Sequence, residues 1–297
     1  MQQDNNSKSP YLLIVVGIVA VSTAAILIKS ALPFASPIAV AFHRLFFSAI
    51  IAILILCFKK TKEKVHFDPR LIGTLSLSGL LLALHFALWI WSLDLVSVNS
   101  SVIFVTTSPL WVGFLSPLVL KERVPNRFYV GVLFAFIGGL LIAILGNNNG
   151  GSNTLPGLLM ALLSAWMVAG YLLVGRKVAN RMSTELYVSI VYSIAAVVLG
   201  FFLLIIEKGF PTYPPRIYLI FLLLALVPQT LGHTSMNKAL TRLPARIVSL
   251  ALLFEPIGSS ILAILFIKEL PSAVEIAGGI LILFGLGIAL SAKSNAA

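Results

Sequence analysis

The sequence predicts an all-α membrane protein: ten transmembrane helices arranged as two inverted five-helix repeats. Three observations lead there. First, 59% of the 297 residues are apolar and only 10% are charged, against roughly 25% charged in a soluble domain. So few charges cannot cover a water-facing surface. Second, the apolar residues fall into ten long stretches. Third, the chain matches itself at an offset of 147 residues.

A hydrocarbon layer of roughly 30 Å takes about 20 apolar residues of helix to cross. The stretches 11–30, 36–58, 70–93, 98–120, 127–146, 156–175, 185–206, 216–236, 245–267 and 273–292 meet that length. Open strands would leave backbone groups unpaired in lipid, and the alternating pattern of a barrel is missing. The first span follows a polar tail, residues 1–10. It is long enough to cross, so it reads as a retained helix rather than a cleaved leader. Pro33 and Pro37 separate spans one and two, and Asp68-Pro69 opens the third. A short turn at 94–98 leads into the fourth, and Pro125-Asn126 precedes the fifth. Gly146 to Asn153 is the longest polar segment, within a linker over 147–155. Pro211, Pro214 and Pro215 precede span eight, and 237–245 is a weakly marked boundary before span nine. Ser272 and Glu275 form a capping box for span ten. Residues 293–297 are a short tail.

Lys and Arg placement orients the bundle. With a cytoplasmic N-terminus, sixteen fall on the cytoplasmic side: Lys8, Lys59, Lys60, Lys62, Lys64, Arg70, Lys121, Arg123, Arg127, Arg176, Lys177, Arg181, Lys238, Arg242, Arg246 and Lys293. Lys29, Lys208, Arg216 and Lys268 fall opposite, and Arg44 lies inside span two. Both termini are therefore expected in the cytoplasm. The net charge of +11 is a topology signal and implies no nucleic-acid partner. Cys57 is the one cysteine, which excludes an internal disulfide and a cysteine metal site.

The offset of 147 places Pro109 on Pro256, Leu115 on Leu262, Leu118 on Leu265, Lys121 on Lys268, Glu122 on Glu269, Gly131 on Gly278 and Gly138 on Gly285. Each half, 11–146 and 156–292, holds five spans. Five is odd, so the second half must enter the membrane from the opposite side. Lys121-Glu122 is then expected at the cytoplasmic face and Lys268-Glu269 at the outer face. Inverted repeats are the architecture of many secondary transporters.

Several residues are candidates for substrate binding or coupling. An ionisable group inside a bilayer is costly and marks a function by default. Arg44 could grip a substrate carboxylate through two parallel bonds, or serve structure or gating. Glu255, just before Pro256, could hold an ammonium or exchange a proton, or satisfy backbone freed by the proline. The two could also pair with each other. His85 and Trp89 are four apart and share a helix face, as do Gln229 and His233 in the counterpart helix. His85 plus 147 falls one residue short of His233, so the two polar faces are near-equivalents. His233 is expected close to the cytoplasmic end. Trp166, Tyr171, Tyr187 and Tyr192 could build an aromatic wall, while Trp91 reads as an interface anchor. Thr106 lies in a span unusually rich in hydroxyls, with Asn99, Ser100, Ser101, Thr107 and Ser108. Gly131 with Gly138, and Gly278 with Gly285, are each seven apart and form small-residue packing stripes, for internal packing or for a dimer contact.

With Lys29 ending helix one, His43-Arg44-Leu45-Phe46 opening helix two and Glu255-Pro256 in helix nine, the repeat resembles the drug/metabolite transporter superfamily, EamA type. The likeness covers about residues 10–292. It implies a small-molecule carrier, often an exporter of amino acids or related metabolites. It also implies that helices 1–4 and 6–9 surround a cavity, with helices 5 and 10 at the two ends.

No HExxH, no phosphate loop and no nucleotide-binding domain occurs, so no cofactor, metal or enzymatic chemistry is called for. The expected function is secondary active or facilitative export of a small, amino-acid-like metabolite by alternating access. The partners are that substrate, the lipid bilayer and a proton as candidate coupling ion, in a monomer or homodimer. A drug or lipophilic-cation exporter is the alternative within transport. A membrane-embedded enzyme, or a channel or scaffold, is the alternative outside it. The compact loops fit a bacterial inner membrane.

Overall fold

A computed structural model describes residues 10–59, 63, 65–119, 126–145 and 153–291. Residues 1–9 of the N-terminal tail, most of the 147–155 linker, the Lys121-Glu122 pair and the C-terminal tail lie outside the described residues. Among the described residues all regular structure is helical.

Eight helices are long and apolar enough to span a membrane. These are α1 (Pro10–Ala31), α2 (Pro37–Phe58), α3 (Pro69–Leu95), α4 (Val98–Val119), α6 (Leu155–Val178), α7 (Thr184–Glu207), α8 (Pro215–Leu240) and, in α9, Ile247–Ile267. Two more apolar helices, α5 (Asn126–Leu145) and α10 (Ala273–Ser291), have shorter apolar runs. The start signals act as the residue types require. Ser36, Asp68, Ser97, Thr154 and Ser183 each accept a bond from the N–H three residues on, filling donors that a helix start leaves unpaired. The Asp68 carboxyl is held below the usual carboxylate range by the Leu71 N–H and then by Arg181. A lowered pKa makes this cap fully effective above the ordinary carboxyl range and loses it as pH falls through the lowered value. At α10 the Ser272 N–H donates to Glu275 Oε2 at 2.8 Å and the Glu275 N–H to Ser272 Oγ at 3.2 Å. The reciprocal box read in the sequence is formed.

The helix ends gather at two poles. Lys29, at the end of α1, donates to Val96 O at 3.2 Å, and Thr154, at the start of α6, donates to Leu95 O at 3.3 Å. The first helix of one half thus ends where the first helix of the other begins, and the halves run opposite ways. The other pole, rich in Lys and Arg, joins Arg181 to Asp68 at 3.1 Å and Lys59 to Glu185 at 2.6 Å. These pairs are partly exposed, so water and salt screen them and they add little to stability.

Across the halves, α2 packs along α7, α3 along α6 and α7, and α1 against α8 and α9. The principal neighbour of α5 is α10. That corrects the expectation that these two helices sit at opposite ends: they lie side by side. The glycines are the reason. A Cβ on Gly138 would come within 2.5 Å of Gly278 O, one on Gly278 within 2.8 Å of Gly138 O, and one on Gly285 would strike Gly131 O. The stripes serve contact between the halves of one chain, with backbone against backbone.

Candidate functional site

Several helices lose their regular form at mid-depth, and the polar residues collect there. α4 is interrupted at Thr106–Thr107. α9 changes from Ala245–Ala251 through a 3₁₀ turn, Leu252–Phe254, into Glu255–Ile267. The two breaks correspond under the 147-residue offset, which takes Thr106 to Leu253. Pro109 and Pro256 follow them; each lacks an N–H and cannot complete the preceding turn. In α8 a wide π stretch covers Ala225–His233 and includes Pro228. Such stretches absorb an extra residue and recur at functional sites. α8 then continues to Leu240. His233 therefore lies well inside the bundle and not near the helix end, correcting the expectation from the sequence.

Arg44 is wholly buried. Its Nε donates to Gln229 Oε1 at 2.9 Å across the halves. Its guanidinium carbon sits 3.9 Å over the Phe86 ring and 5.9 Å from the Trp89 ring. Among the described residues no ion pair joins Arg44 to Glu255, so the direct pairing weighed from sequence is not formed. Arg44 Nη1 and Nη2, Gln229 Nε2 and Trp89 Nε1 are all buried with no hydrogen-bond partner. None of these nitrogens can accept, and the Gln229 amide is oriented by its bond to a group that only donates. The cluster is thus a set of four unpaired donors around one positive charge.

Glu255 lines a hollow of about 30 Å³ together with Val21, His85, Trp89, Val105, Thr106, Ser108, Val168, His233 and Leu252. That is room for a water or two and far less than an amino acid needs. His85 is held by Ser164: its Nδ1 is 2.8 Å from Ser164 Oγ, which lies 3.0 Å from His85 O. The His85 ring stacks 6.0 Å from Trp89 and lies 6.2 Å from His233. Thr106 points its hydroxyl back to Val102 O at 2.9 Å, a local bond that holds the break.

Towards the basic pole the polar lining continues. Tyr192 OH is 3.1 Å from Thr234 Oγ1, Asn237 Nδ2 donates to Tyr171 OH, and Ser78 Oγ is 2.6 Å from Tyr187 OH. Tyr171, Tyr187 and Tyr192 are buried. Trp166 is elsewhere. It is 41% exposed and meets Trp111 edge-on at 5.0 Å. Beside it lies a larger, apolar cavity of about 430 Å³ between α4, α5 and α6, with no cluster of polar groups.

The structure thus brings Arg44, His85, Trp89, Thr106, Gln229, His233 and Glu255 together, sets Tyr192 and Tyr171 on one flank, and leaves Trp166 outside. Sequence reasoning missed Phe86, the face that carries Arg44, and Ser164, which fixes His85. Ser108 was noted only as one hydroxyl among several. It is the repeat counterpart of Glu255 under the offset, and that signal was available.

A sequence profile described as "EamA-like transporter family" matches residues 8–144 and again 155–291. The "Pseudopaline exporter CntI" of Pseudomonas aeruginosa is 27% identical over 247 residues, 83% of this chain and 84% of that one. The "Uncharacterized transporter YwfM" of Bacillus subtilis is 26% identical over 186 residues, 63% of this chain. That match spans 62% of YwfM's own length. A solved crystal structure at 18% identity aligns with a TM-score of 0.70 over 95% of this chain and 97% of its own, a likeness of fold.

Proposed function

The chain belongs to the EamA-like transporter family, and on that footing we propose that it exports a small, amino-acid-like metabolite by alternating access. It is a transporter and not an enzyme, and it resides in a membrane. The further reading is a ten-span bundle in a bacterial inner membrane, with the basic pole and both termini in the cytoplasm.

The observation that carries the substrate class is the set of unpaired donors at Arg44, Gln229 and Trp89. Buried polar groups without partners are costly, and a buried charge more so. A ligand that supplies the missing acceptors removes that cost. A carboxylate is acceptor-only, with about four lone-pair sites on two oxygens, and Arg presents its terminal nitrogens as a flat fork. The carboxylate end of the substrate would lie against Arg44. An ammonium end would face Glu255, which borders the hollow, with the Trp89 and Phe86 rings beside it.

Loading requires movement, because a hollow of about 30 Å³ cannot hold an amino acid. Two halves of one shape, inserted opposite ways, can exchange conformations and open the site to alternate sides. Glu255 is the coupling candidate: a carboxylate at a site that opens to each side in turn could carry a proton inward for each substrate moved outward.

The test is efflux from proteoliposomes loaded with a panel of amino acids, with and without an imposed pH gradient. Saturable efflux of a panel member is the expected result, faster with the gradient. Glu255→Gln is expected to remove the acceleration by the gradient. Efflux indifferent to pH would return Glu255 to substrate binding alone. Saturable efflux of hydrophobic cations but of no carboxylate would overturn the substrate class.

A further inference from the structure

We propose that the charge-poor pole is held shut by a second carboxylate clamp with no counterpart at the basic pole, so that the empty carrier rests closed at the charge-poor end. The proposal rests on the alternating-access reading above.

The clamp grips the first turn of α4, which belongs to the first half, with two carboxylates from the second half. Glu269 Oε1 accepts from Val98 N–H at 2.6 Å and lies 3.4 Å from Asn99 N. Glu275 Oε1 accepts from Ser97 Oγ, from Ser100 Oγ at 2.6 Å and from Asn153 Nδ2 at 3.4 Å. Its other oxygen takes the Ser272 N–H. Asn99 and Ser260 add a bond of 2.6 Å between the halves. Both carboxylates lie where a helix start presents free N–H groups and the positive end of its dipole. Glu275 is only 4% exposed, so a break would leave a buried charge short of partners.

The internal repeat supplies the comparison. At an offset of 147, Lys29 corresponds to Arg176, and the two do the same thing. Lys29 donates to Val96 O at 3.2 Å, and Arg176 Nη1 donates to Leu240 O at 2.6 Å. Each ties the first helix of its half to the end of the third. Glu269 also has a counterpart in the sequence, Glu122, and Val98 corresponds to Ala245. The second carboxylate has none. Glu275 falls on Phe128, Ser97 on Pro244 and Ser100 on Ile247. Neither the acid nor either hydroxyl recurs. The basic pole has cross-half pairs of its own, Lys59 with Glu185 and Arg181 with Asp68, also without counterparts under the offset. They are partly exposed and therefore weak. Among the described residues the buried carboxylate clamp stands at the charge-poor pole, and it biases the two-state equilibrium toward closure there.

Cysteine accessibility reads this without any substrate, so a failed amino-acid screen leaves the result readable. In a Cys57→Ser background, Val105→Cys places a thiol on α4 at the wall of the central hollow. A membrane-impermeant thiol reagent is applied to vesicles of each orientation, with Lys268→Cys in a parallel sample marking the charge-poor side. The thiol at 105 should react faster from the basic side. Glu275→Gln should raise its rate from the charge-poor side at least about fivefold, the low end of coupling changes, and lower it from the basic side. The pair Ser97→Ala with Ser100→Ala removes the donors, keeps the charge, and should act the same way; it decides the matter if the acid variant does not fold. Equal access from both sides before substitution, no change in these variants, or faster reaction from both sides would each overturn the clamp.

Discussion

Arg44→Gln is expected to lower kcat/KM for efflux of a carboxylate-bearing substrate by at least about a hundredfold. Two charge-assisted bonds are lost at Nη1 and Nη2, each worth about 1.5–3 kcal/mol, and 1.4 kcal/mol is tenfold. Arg44→Lys should recover little, since an ammonium is a point donor and cannot offer a flat fork while also holding Gln229. The loss should be confined to the carboxylate. A primary amine of the same size without that group, if carried at all, should move at the same rate in variant and wild type. Equal loss for both would assign Arg44 to gating. Stability supplies a second readout. Arg44 is buried with both terminal nitrogens unpaired, so the neutral variant should unfold in detergent at a temperature no lower than the wild type. Retained function at a stability cost is common at binding sites. A marked fall in unfolding temperature would mean that Arg44 holds the fold.

The second large effect is expected where α5 meets α10. Gly278→Leu should destabilise the protein by about 3 kcal/mol or more, beyond the usual 1–3 kcal/mol of overpacking. Its Cβ alone would sit 2.8 Å from Gly138 O and 2.5 Å from Ile142 Cγ1. A neighbouring side chain can turn away from a new atom, whereas a facing carbonyl moves only if the two helices part. Gly287→Leu, on the same helix but with nothing within 4 Å of its would-be Cβ, should be nearly neutral. Thermal unfolding in detergent separates the two. If both substitutions cost the same, the close approach of α5 to α10 is wrong. If Gly278→Leu leaves stability intact but splits a dimer, the stripe serves a contact between chains.

The apolar helices and the repeat that relates the halves were legible because they follow from local rules. Hydrocarbon thickness sets a length, proline and glycine mark the breaks, and an offset match needs no coordinates. The Ser272–Glu275 box was legible for the same reason: its partners are three residues apart. The candidate site was half legible. Arg44, Glu255, His85 and His233 stand out as polar residues in apolar runs. Which of them meet did not follow. The partner of Arg44 is Gln229, 185 residues away, and not the opposite charge at Glu255. His233 was set too near an end because the π stretch in α8, around Pro228, disguises how far the helix continues. Trp166 shares its residue type with a cavity wall but lies on the outside of the bundle.

The sequence by itself determined an apolar, membrane-type helical bundle, a unit repeated twice along the chain and a short set of polar residues within apolar runs. Each is a property of composition, spacing or self-similarity along the chain. Only the tertiary structure decided that α5 and α10 pair through their glycines, that Arg44 leans on Phe86 and Gln229 with two nitrogens left unpaired, and that Glu275 accepts from Ser97 and Ser100 at the start of α4. Those contacts join residues far apart in sequence. Their formation depends on the angle and distance between packed helices, which apolar patterning alone leaves open because exposed and buried faces of these helices both carry large apolar side chains.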